Sequence, residues 1–113
     1  MQGGNPLCAA FLEEGIRRQF QAHTTAGLTI NENADPSVQA DILMVLNRII
    51  SDQEAYRHLE GNSPAHIKAS LMGPQLTVLV SRGSLLLGTW QGIYLAEFDG
   101  PRTRKVHIKI MAG

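Results

Sequence analysis

The sequence QLTVLVSRGSLLLGTWQGIYLAEF, residues 75–98, contains the clearest β-structure signal in the chain. Polar and apolar side chains alternate over residues 75–78, and the period of two predicts a strand over residues 75–80. Ser81-Arg82-Gly83 predicts a tight turn, and residues 84–87 begin the return strand of a hairpin. Residues 89–98 predict a further strand, so this stretch indicates an antiparallel sheet.

One more strand and two helices are predicted around this sheet. In the last strand, Val106, Ile108 and Ile110 face one way, and Lys105, His107 and Lys109 face the other. Asp35 caps a helix that has Pro36 at its first position, where the missing N–H costs nothing. Its apolar stripe is formed by Val38, Ile42, Val45, Leu46, Ile49 and Ile50. A shorter helix begins at Ser63-Pro64 and stops at Gly73-Pro74. The fold class predicted from these elements is α+β, with helices against mostly antiparallel strands.

The first 22 residues carry a weaker pattern. An apolar residue recurs every four or five positions here, which is typical of a loose helical stripe, although Gly15 interrupts it. The apolar residues are Leu7, Phe11, Leu12, Ile16 and Phe20. The pattern predicts a short helix, then a short strand that enters the segment around His23.

Composition limits the range of functions. The chain has 113 residues, enough for one domain spanning residues 1–113. Ten basic and ten acidic residues cancel, and no basic stripe indicates nucleic acid or an anionic membrane as a partner. The longest apolar runs are too short to cross a bilayer. The single cysteine, Cys8, fits a reducing compartment, so the predicted location is cytoplasmic.

Three histidines are candidate metal ligands. His23, His58 and His66 all lie near the ends of predicted elements, where sites tend to form. Neutral imidazole is a preferred ligand of zinc, and three histidines with an open position form a common catalytic arrangement. Their spacing is not a known zinc pattern, and the alternative is three ordinary loop or cap histidines. His107 alternates with lysines on a strand and is predicted to be a solvated surface residue.

Other polar residues have both a structural and a functional interpretation. Glu32 and Asp35 precede the main helix, where they either cap it or orient a ligand and handle a proton. Hydroxyl and amino donors lie near helix starts and turns and could hold a phosphate: Thr24, Thr25, Ser63, Lys68 and Ser70. Trp90 and Gln91 belong either to packing or to the wall of a pocket for a flat ring.

Three stretches together resemble one family. They are HTTAGLTINENADP (residues 23–36), YRHLEGNSPAHIKASLMGP (residues 56–74) and LLLGTWQGIYLAEFDGPR (residues 85–102). In order and spacing they are similar to the YjbQ-type family, also described as secondary thiamine-phosphate synthases. The resemblance covers residues 23–111.

The resemblance implies a compact, mostly antiparallel β-sandwich with two flanking helical segments, assembled as a homotrimer. It implies that His23, His58 and His66 hold a divalent metal, with zinc expected, near a subunit boundary. The family's activity joins a pyrimidine pyrophosphate to a thiazole phosphate and releases pyrophosphate. On this basis we expect catalytic roles for Glu32, Asp35 and Lys68. The expected contacts to a small phosphorylated substrate come from Thr24, Thr25, Lys68, Trp90 and Gln91.

Two rival functions stay open at this stage. The same three-histidine site could activate water and hydrolyse a phosphate ester. Alternatively, the chain could be a non-enzymatic trimer that binds a metal or a small phosphate ligand. Product analysis separates coupling, which needs two substrates, from hydrolysis, which needs one substrate and water.

The start of the chain departs from the family pattern. Members open with a strand, a helix and a full strand before the histidine-threonine motif. Here residues 1–22 predict the helix and only a clipped strand, Arg18–Ala22, so the start looks divergent or truncated and the opening strand missing. Such a loss would leave unpaired sheet edges.

Overall fold

The computed structural model describes residues 2–3 and 13–113 of the chain, with side chains described from residue 13 onward. The described strands are β1 (Gln2–Gly3), β2 (Glu14–Gln21), β3 (Ala26–Glu32), β4 (Gln75–Ser81), β5 (Ser84–Leu85), β6 (Gln91–Glu97) and β7 (Val106–Ala112). Between β3 and β4 lie the helices α1 (Pro36–Ile49) and α2 (Ser63–Met72).

The strands form two antiparallel sheets. One has the order β1-β6-β3 and the other the order β5-β4-β2-β7. Leu28 of β3 and Tyr94 of β6 come from the first sheet and Val80 of β4 from the second. All three are fully buried and form the centre of the core. The predicted α+β class with mostly antiparallel strands and two helical segments is confirmed.

The predicted hairpin turn is confirmed, but its return strand is shorter than expected. Arg82 and Gly83 both adopt positive φ, 53° and 76°, which matches the twist of a two-residue hairpin. β5 contains only two residues, and Thr89-Trp90 forms a turn rather than the start of a strand. The side-chain oxygen of Gln91 stabilises that turn by accepting from the Gly88 N–H at 2.7 Å.

The prediction for the start of the chain was wrong in two respects. β2 is a full strand of eight residues, paired with β4 on one side and β7 on the other, so Ile16 lies in a strand rather than a helix and the strand is longer than the predicted Arg18–Ala22. A spacing of four residues fits a strand as well as a helix, and the two flanking ladders decide for the strand. A two-residue strand, β1, also pairs with β6 where the opening strand was expected to be missing. The predicted residues Leu7, Phe11 and Leu12 lie outside the described residues.

α1 begins as predicted, but its apolar stripe is only partly covered, since Val45 and Ile49 are exposed. The Asp35 carboxylate accepts from the Ser37 N–H at 2.9 Å, a bond that lowers the pKa of Asp35, and Pro36 occupies the first turn. No residue of α1 is buried within the described chain, and Ile49 is 65% exposed. An apolar helix face of this kind is typical of a surface that meets another protein.

α2 packs closely on β3. Gly27 of β3 lies against the helix end, where an added Cβ would come within 2.8 Å of the Met72 Cβ. The Leu28 N–H donates to the Gly73 carbonyl at 2.9 Å, which joins the end of α2 to the strand. This contact fixes the helix that carries His66 relative to the strand that follows His23. Neither helix is long and apolar enough to cross a membrane.

Candidate functional site

A polar cavity of about 430 Å³ lies at the start of β3 and is lined by His23, His58 and His66. Thr24 and Thr25 also line it. His23 to Thr25 form the turn between β2 and β3, His58 lies in the loop before α2, and His66 lies in the first turn of α2. The structure therefore brings the three predicted histidines and both threonines to one place, which is called the histidine cavity below.

His58 and His66 lie in edge-to-face contact. Their ring centroids are 5.3 Å apart, and the ring planes cross at 80°. With Zn–N distances of roughly 2 Å, two imidazoles on a tetrahedral ion have ring centroids about 5 Å apart. The measured centroid separation is close to this value.

His23 is oriented differently. Its Nε2 accepts a hydrogen bond from the Lys105 N–H at 2.9 Å, so a neutral His23 carries its proton on Nδ1. Among the described residues, no group of three or more His, Cys, Asp or Glu side chains is close enough to hold a metal ion. The set of donors fits zinc chemically, but His23 must exchange the Lys105 amide for the ion before all three can bind it.

Two buried side chains hold the His23–Thr25 turn from inside. Gln21, 1% exposed, donates to the Ala26 carbonyl at 2.7 Å and accepts from the His23 N–H at 2.9 Å. Arg104 donates from Nη2 to the Thr25 Oγ1 at 2.9 Å. Such bonds to both sides of a turn fix its backbone, so the residues that project into the cavity are held in place.

A partly buried ion pair supports the same wall. The Arg104 guanidinium forms a fork on the Glu97 carboxylate, with Nε–Oε1 at 2.7 Å and Nη2–Oε2 at 2.5 Å. These bonds from Arg104 hold the pKa of Glu97 below its ordinary value, and the bond to Glu97 raises the pKa of Arg104. Gly100 makes room for the carboxylate, because an added Cβ would lie 2.6 Å from the Glu97 Cδ.

A second link joins the start of α2 to the same segment. The Asn62 Nδ2 donates to the Asp99 Oδ2 at 2.8 Å. Arg102 donates to the Asp99 Oδ2 at 2.9 Å and to its backbone oxygen at 2.7 Å. Asn62, Asp99, Arg102 and Arg104 all line the histidine cavity.

Sequence reasoning missed these four residues and Glu97. The only signal was the run EFDGPRTR, where acidic and basic residues flank a Gly-Pro turn. Opposite charges on the two sides of a turn can meet, but the pairing became visible only with the fold.

Lys68 does not lie in the histidine cavity. Its Nζ donates to the Asn47 Oδ1 at 2.5 Å, so it ties α2 to α1. It lines a separate cavity of about 170 Å³, together with Asp52 and Asp99. The predicted catalytic and phosphate-binding roles of Lys68 therefore have no geometric support in this structure.

Four predicted residues lie at the opposite end of β3. Glu32 ends that strand and pairs with Gln91 of β6, Trp90 precedes Gln91, and Asp35 caps α1. β3 has seven residues, which at roughly 3.3 Å per residue separates this end from the histidines by about 20 Å. Within one chain, these four residues and the histidines cannot line the same cavity.

His107 lies on exposed β7, opposite Phe20 in the register, and does not line the histidine cavity. This position agrees with the prediction of a surface histidine. It provides a matched control for the other three.

Comparisons with known proteins agree with this fold. The sequence model of the family described as "UPF0047 protein YjbQ-like" matches residues 7–113. A UPF0047 protein of Methanocaldococcus jannaschii is 54% identical over 100 residues, which are 88% of this chain and 72% of the relative. The UPF0047 protein YugU of Bacillus subtilis is 51% identical over 108 residues, 90% of this chain and 82% of the relative.

Two solved structures have closely similar folds. A YjbQ/UPF0047 family protein from Clostridium acetobutylicum has a TM-score of 0.88 at 53% identity, covering 93% of this chain and 81% of that protein. A YbjQ-like protein from Sulfolobus solfataricus has a TM-score of 0.89 at 30% identity, covering 96% of this chain and 81% of that protein.

Proposed function

Because this chain belongs to the YjbQ-like UPF0047 family, we propose that it is a metal-dependent transferase with secondary thiamine-phosphate synthase activity. In this reaction a pyrimidine pyrophosphate is joined to a thiazole phosphate, and pyrophosphate leaves. The observation that carries the proposal is the single polar cavity lined by His23, His58 and His66.

His23, His58 and His66 would hold the metal, which we propose to be zinc. Imidazole nitrogen suits zinc, and the separation of His58 and His66 suits one tetrahedral ion. When bound, the metal would stabilise the negative charge that develops on the departing pyrophosphate.

The chain's own residues give the cavity its shape and its donors. Gln21 and Arg104 fix the turn that carries His23, Thr24 and Thr25. Thr24 and Thr25 line the cavity, and their hydroxyl groups are suited to phosphate oxygens. Because the Thr25 Oγ1 accepts from Arg104, its own proton is available to a ligand.

We further propose that the chain acts as a homotrimer in the cytoplasm. The exposed apolar face of α1 favours assembly. Assembly would also offer a way for Glu32, Trp90 and Gln91 of one copy to reach the histidine cavity of another, since one chain holds them at opposite ends of β3. The cytoplasmic location is proposed from the single cysteine, Cys8, and from apolar runs too short to cross a bilayer, and it stays a prediction.

The proposed reaction is tested by thiamine phosphate formation together with pyrophosphate release. His66→Ala should lower turnover by on the order of a hundredfold or more, since loss of one well-placed charge-stabilising group typically costs that much. Apparent substrate affinity should change less, because the charge is largest in the transition state. His107→Ala serves as the matched control and should leave turnover unchanged.

Equal trace activity in the wild type and both variants would contradict the proposal. Release of phosphate from a single substrate, lost in His66→Ala, would instead support the metal-dependent hydrolase. Metal binding without turnover of any substrate would support the binding protein.

A further inference from the structure

We propose that Arg104, fixed by Glu97, is the side chain of the histidine cavity that binds the phosphate or pyrophosphate group of the ligand. The inference deepens the proposed function, because it concerns the substrate of the same cavity. It also replaces Lys68 in the role that the sequence had assigned to it.

Arg104 is held ready for an anion. Its side chain is 7% exposed, and it lines the histidine cavity. The Nε and Nη2 atoms are used by Glu97 and Thr25, and no described residue accepts a hydrogen bond from Nη1. Because the fork on Glu97 fixes the plane of the guanidinium, binding at Nη1 would require little further ordering.

The other cations near the cavity are less suited. Arg102 also lines it, but this side chain is exposed and both Nε and Nη2 are bound to Asp99. Lys68 lies in a different cavity with its amino group on Asn47. Of the two described arginines that line the histidine cavity, Arg104 is the one with a buried side chain that is paired in a fork with a carboxylate.

The surrounding charges predict how the affinity depends on the metal. The formal charges of Arg102 and Arg104 are outweighed by those of Glu60 and Asp99, which line the same cavity, and of Glu97, which is paired with Arg104. The metal-free protein therefore offers an anion no net charge attraction, and directed hydrogen bonds from Arg104 carry the specificity. A divalent ion on the histidines would add two positive charges and should strengthen the binding of the same anion.

Thr25 links the anion-binding group to the histidine turn. Its Oγ1 accepts from Arg104 Nη2, while its backbone oxygen accepts from the Phe98 N–H at 3.1 Å. The Thr25 hydroxyl therefore keeps its proton for a ligand of the histidine cavity, which both residues line. Two donors on one wall suit a tetrahedral phosphate better than a planar apolar ligand.

The experiment measures binding of inorganic pyrophosphate by titration calorimetry to metal-free and zinc-loaded protein. The compared proteins are the wild type, Arg104→Gln and Lys68→Gln, each checked first by thermal melting. In whichever form of the protein binds pyrophosphate, metal-free or zinc-loaded, Arg104→Gln should lower the affinity for pyrophosphate by at least about tenfold. This is the loss expected for one charge-assisted hydrogen bond. Lys68→Gln should bind within about twofold of the wild type, since it lies outside the cavity.

Equal binding by wild type and Arg104→Gln, a loss confined to Lys68→Gln, or no binding to either form of the wild type would each overturn the inference. If Arg104→Gln does not fold, the inference is tested instead with a crystal of the wild type grown with tungstate, a tetrahedral oxyanion that stands in for phosphate. Tungstate located by its anomalous signal within hydrogen-bonding distance of Arg104 supports the inference. Tungstate found elsewhere, or not found, overturns it.

This test separates the inference from the proposed function. Pyrophosphate bound through Arg104 without thiamine phosphate formation would leave the inference standing and remove the function. If Arg104→Gln keeps its turnover and its apparent substrate affinity, the proposed function stands and the inference about Arg104 is removed.

Discussion

At the scale of single residues, the wall of the histidine cavity depends on the ion pair between Glu97 and Arg104. Arg104 contacts Glu97 with one edge of its guanidinium and Thr25 with Nη2, so the pair connects β6 to the turn before β3. Removing one partner leaves a partly buried charge without compensation, which destabilises the folded state.

This pair predicts a pH-dependent contribution to stability. Hydrogen bonds from Arg104 hold the pKa of Glu97 below its ordinary value of 4.5, so the pair stabilises the folded state above that pH. The stabilisation is lost as the pH falls from about 4.5 through the folded-state pKa. Glu97→Gln should lower the free energy of unfolding at neutral pH by on the order of 1–3 kcal/mol. Its deficit relative to the wild type should shrink in acid.

Urea unfolding at neutral pH and below pH 4.5 measures both effects. Glu60→Gln is the control, because the Glu60 side chain is 73% exposed and should matter little at either pH. A deficit of Glu97→Gln that stays constant across the pH range would show that its charge does not stabilise the fold.

Some residues of the site were predictable from the sequence and others were not. His23, His58 and His66 were predicted to lie together because they match one family's histidines, and they do line one cavity. Glu97 and Arg104 could not be paired from sequence, since their contact depends on the path of the chain through Gly100-Pro101. Lys68 was misplaced because a helix position does not reveal that the side chain reaches back to Asn47.

At the scale of elements, the strands after residue 74 were the most predictable part of the fold. Polar and apolar residues alternate over residues 75–78 and 105–110, and the turn at Arg82-Gly83 has the positive φ values of a two-residue hairpin. β2 was not predictable, because its buried face carries Arg17, Gln19 and Gln21 while Phe20 faces outward. A strand with polar residues inside gives no hydrophobic pattern, and the long-range ladders to β4 and β7 override local preference.

The exposed face of α1 predicts an assembly. Light scattering should give about three times 12.3 kDa, the mass of one chain. Ile49→Lys should lower that mass, because Ile49 is 65% exposed in the single chain and a lysine there would oppose burial against another copy. Folding of the single chain should change little for the same reason.

Ala40→Lys provides the control. Ala40 is exposed on α1 nine residues before Ile49, two and a half turns away at roughly 3.6 residues per turn, and so lies on the opposite face. It should retain the trimer mass. A wild type that scatters as a monomer at micromolar concentration would contradict the assembly.

At the scale of the whole molecule, the predicted site residues fall into two groups that lie at opposite ends of β3. The histidine cavity lies at the start of β3, while Glu32, Trp90 and Gln91 lie at its far end. The fold class followed from local patterns, but this separation followed only from the register of β3 on β6. A function that needs both ends in one place requires more than one copy of the chain.

The most direct test of the account is the metal content of the purified protein after loading with zinc and removal of the excess. The account predicts close to one zinc ion per chain in the wild type and in His107→Ala, whose imidazole lies outside the histidine cavity. It predicts loss of most of the zinc in His58→Ala. A folded wild type that takes up no zinc, or a His58→Ala variant that holds as much as the wild type, would contradict a metal centre built by His23, His58 and His66.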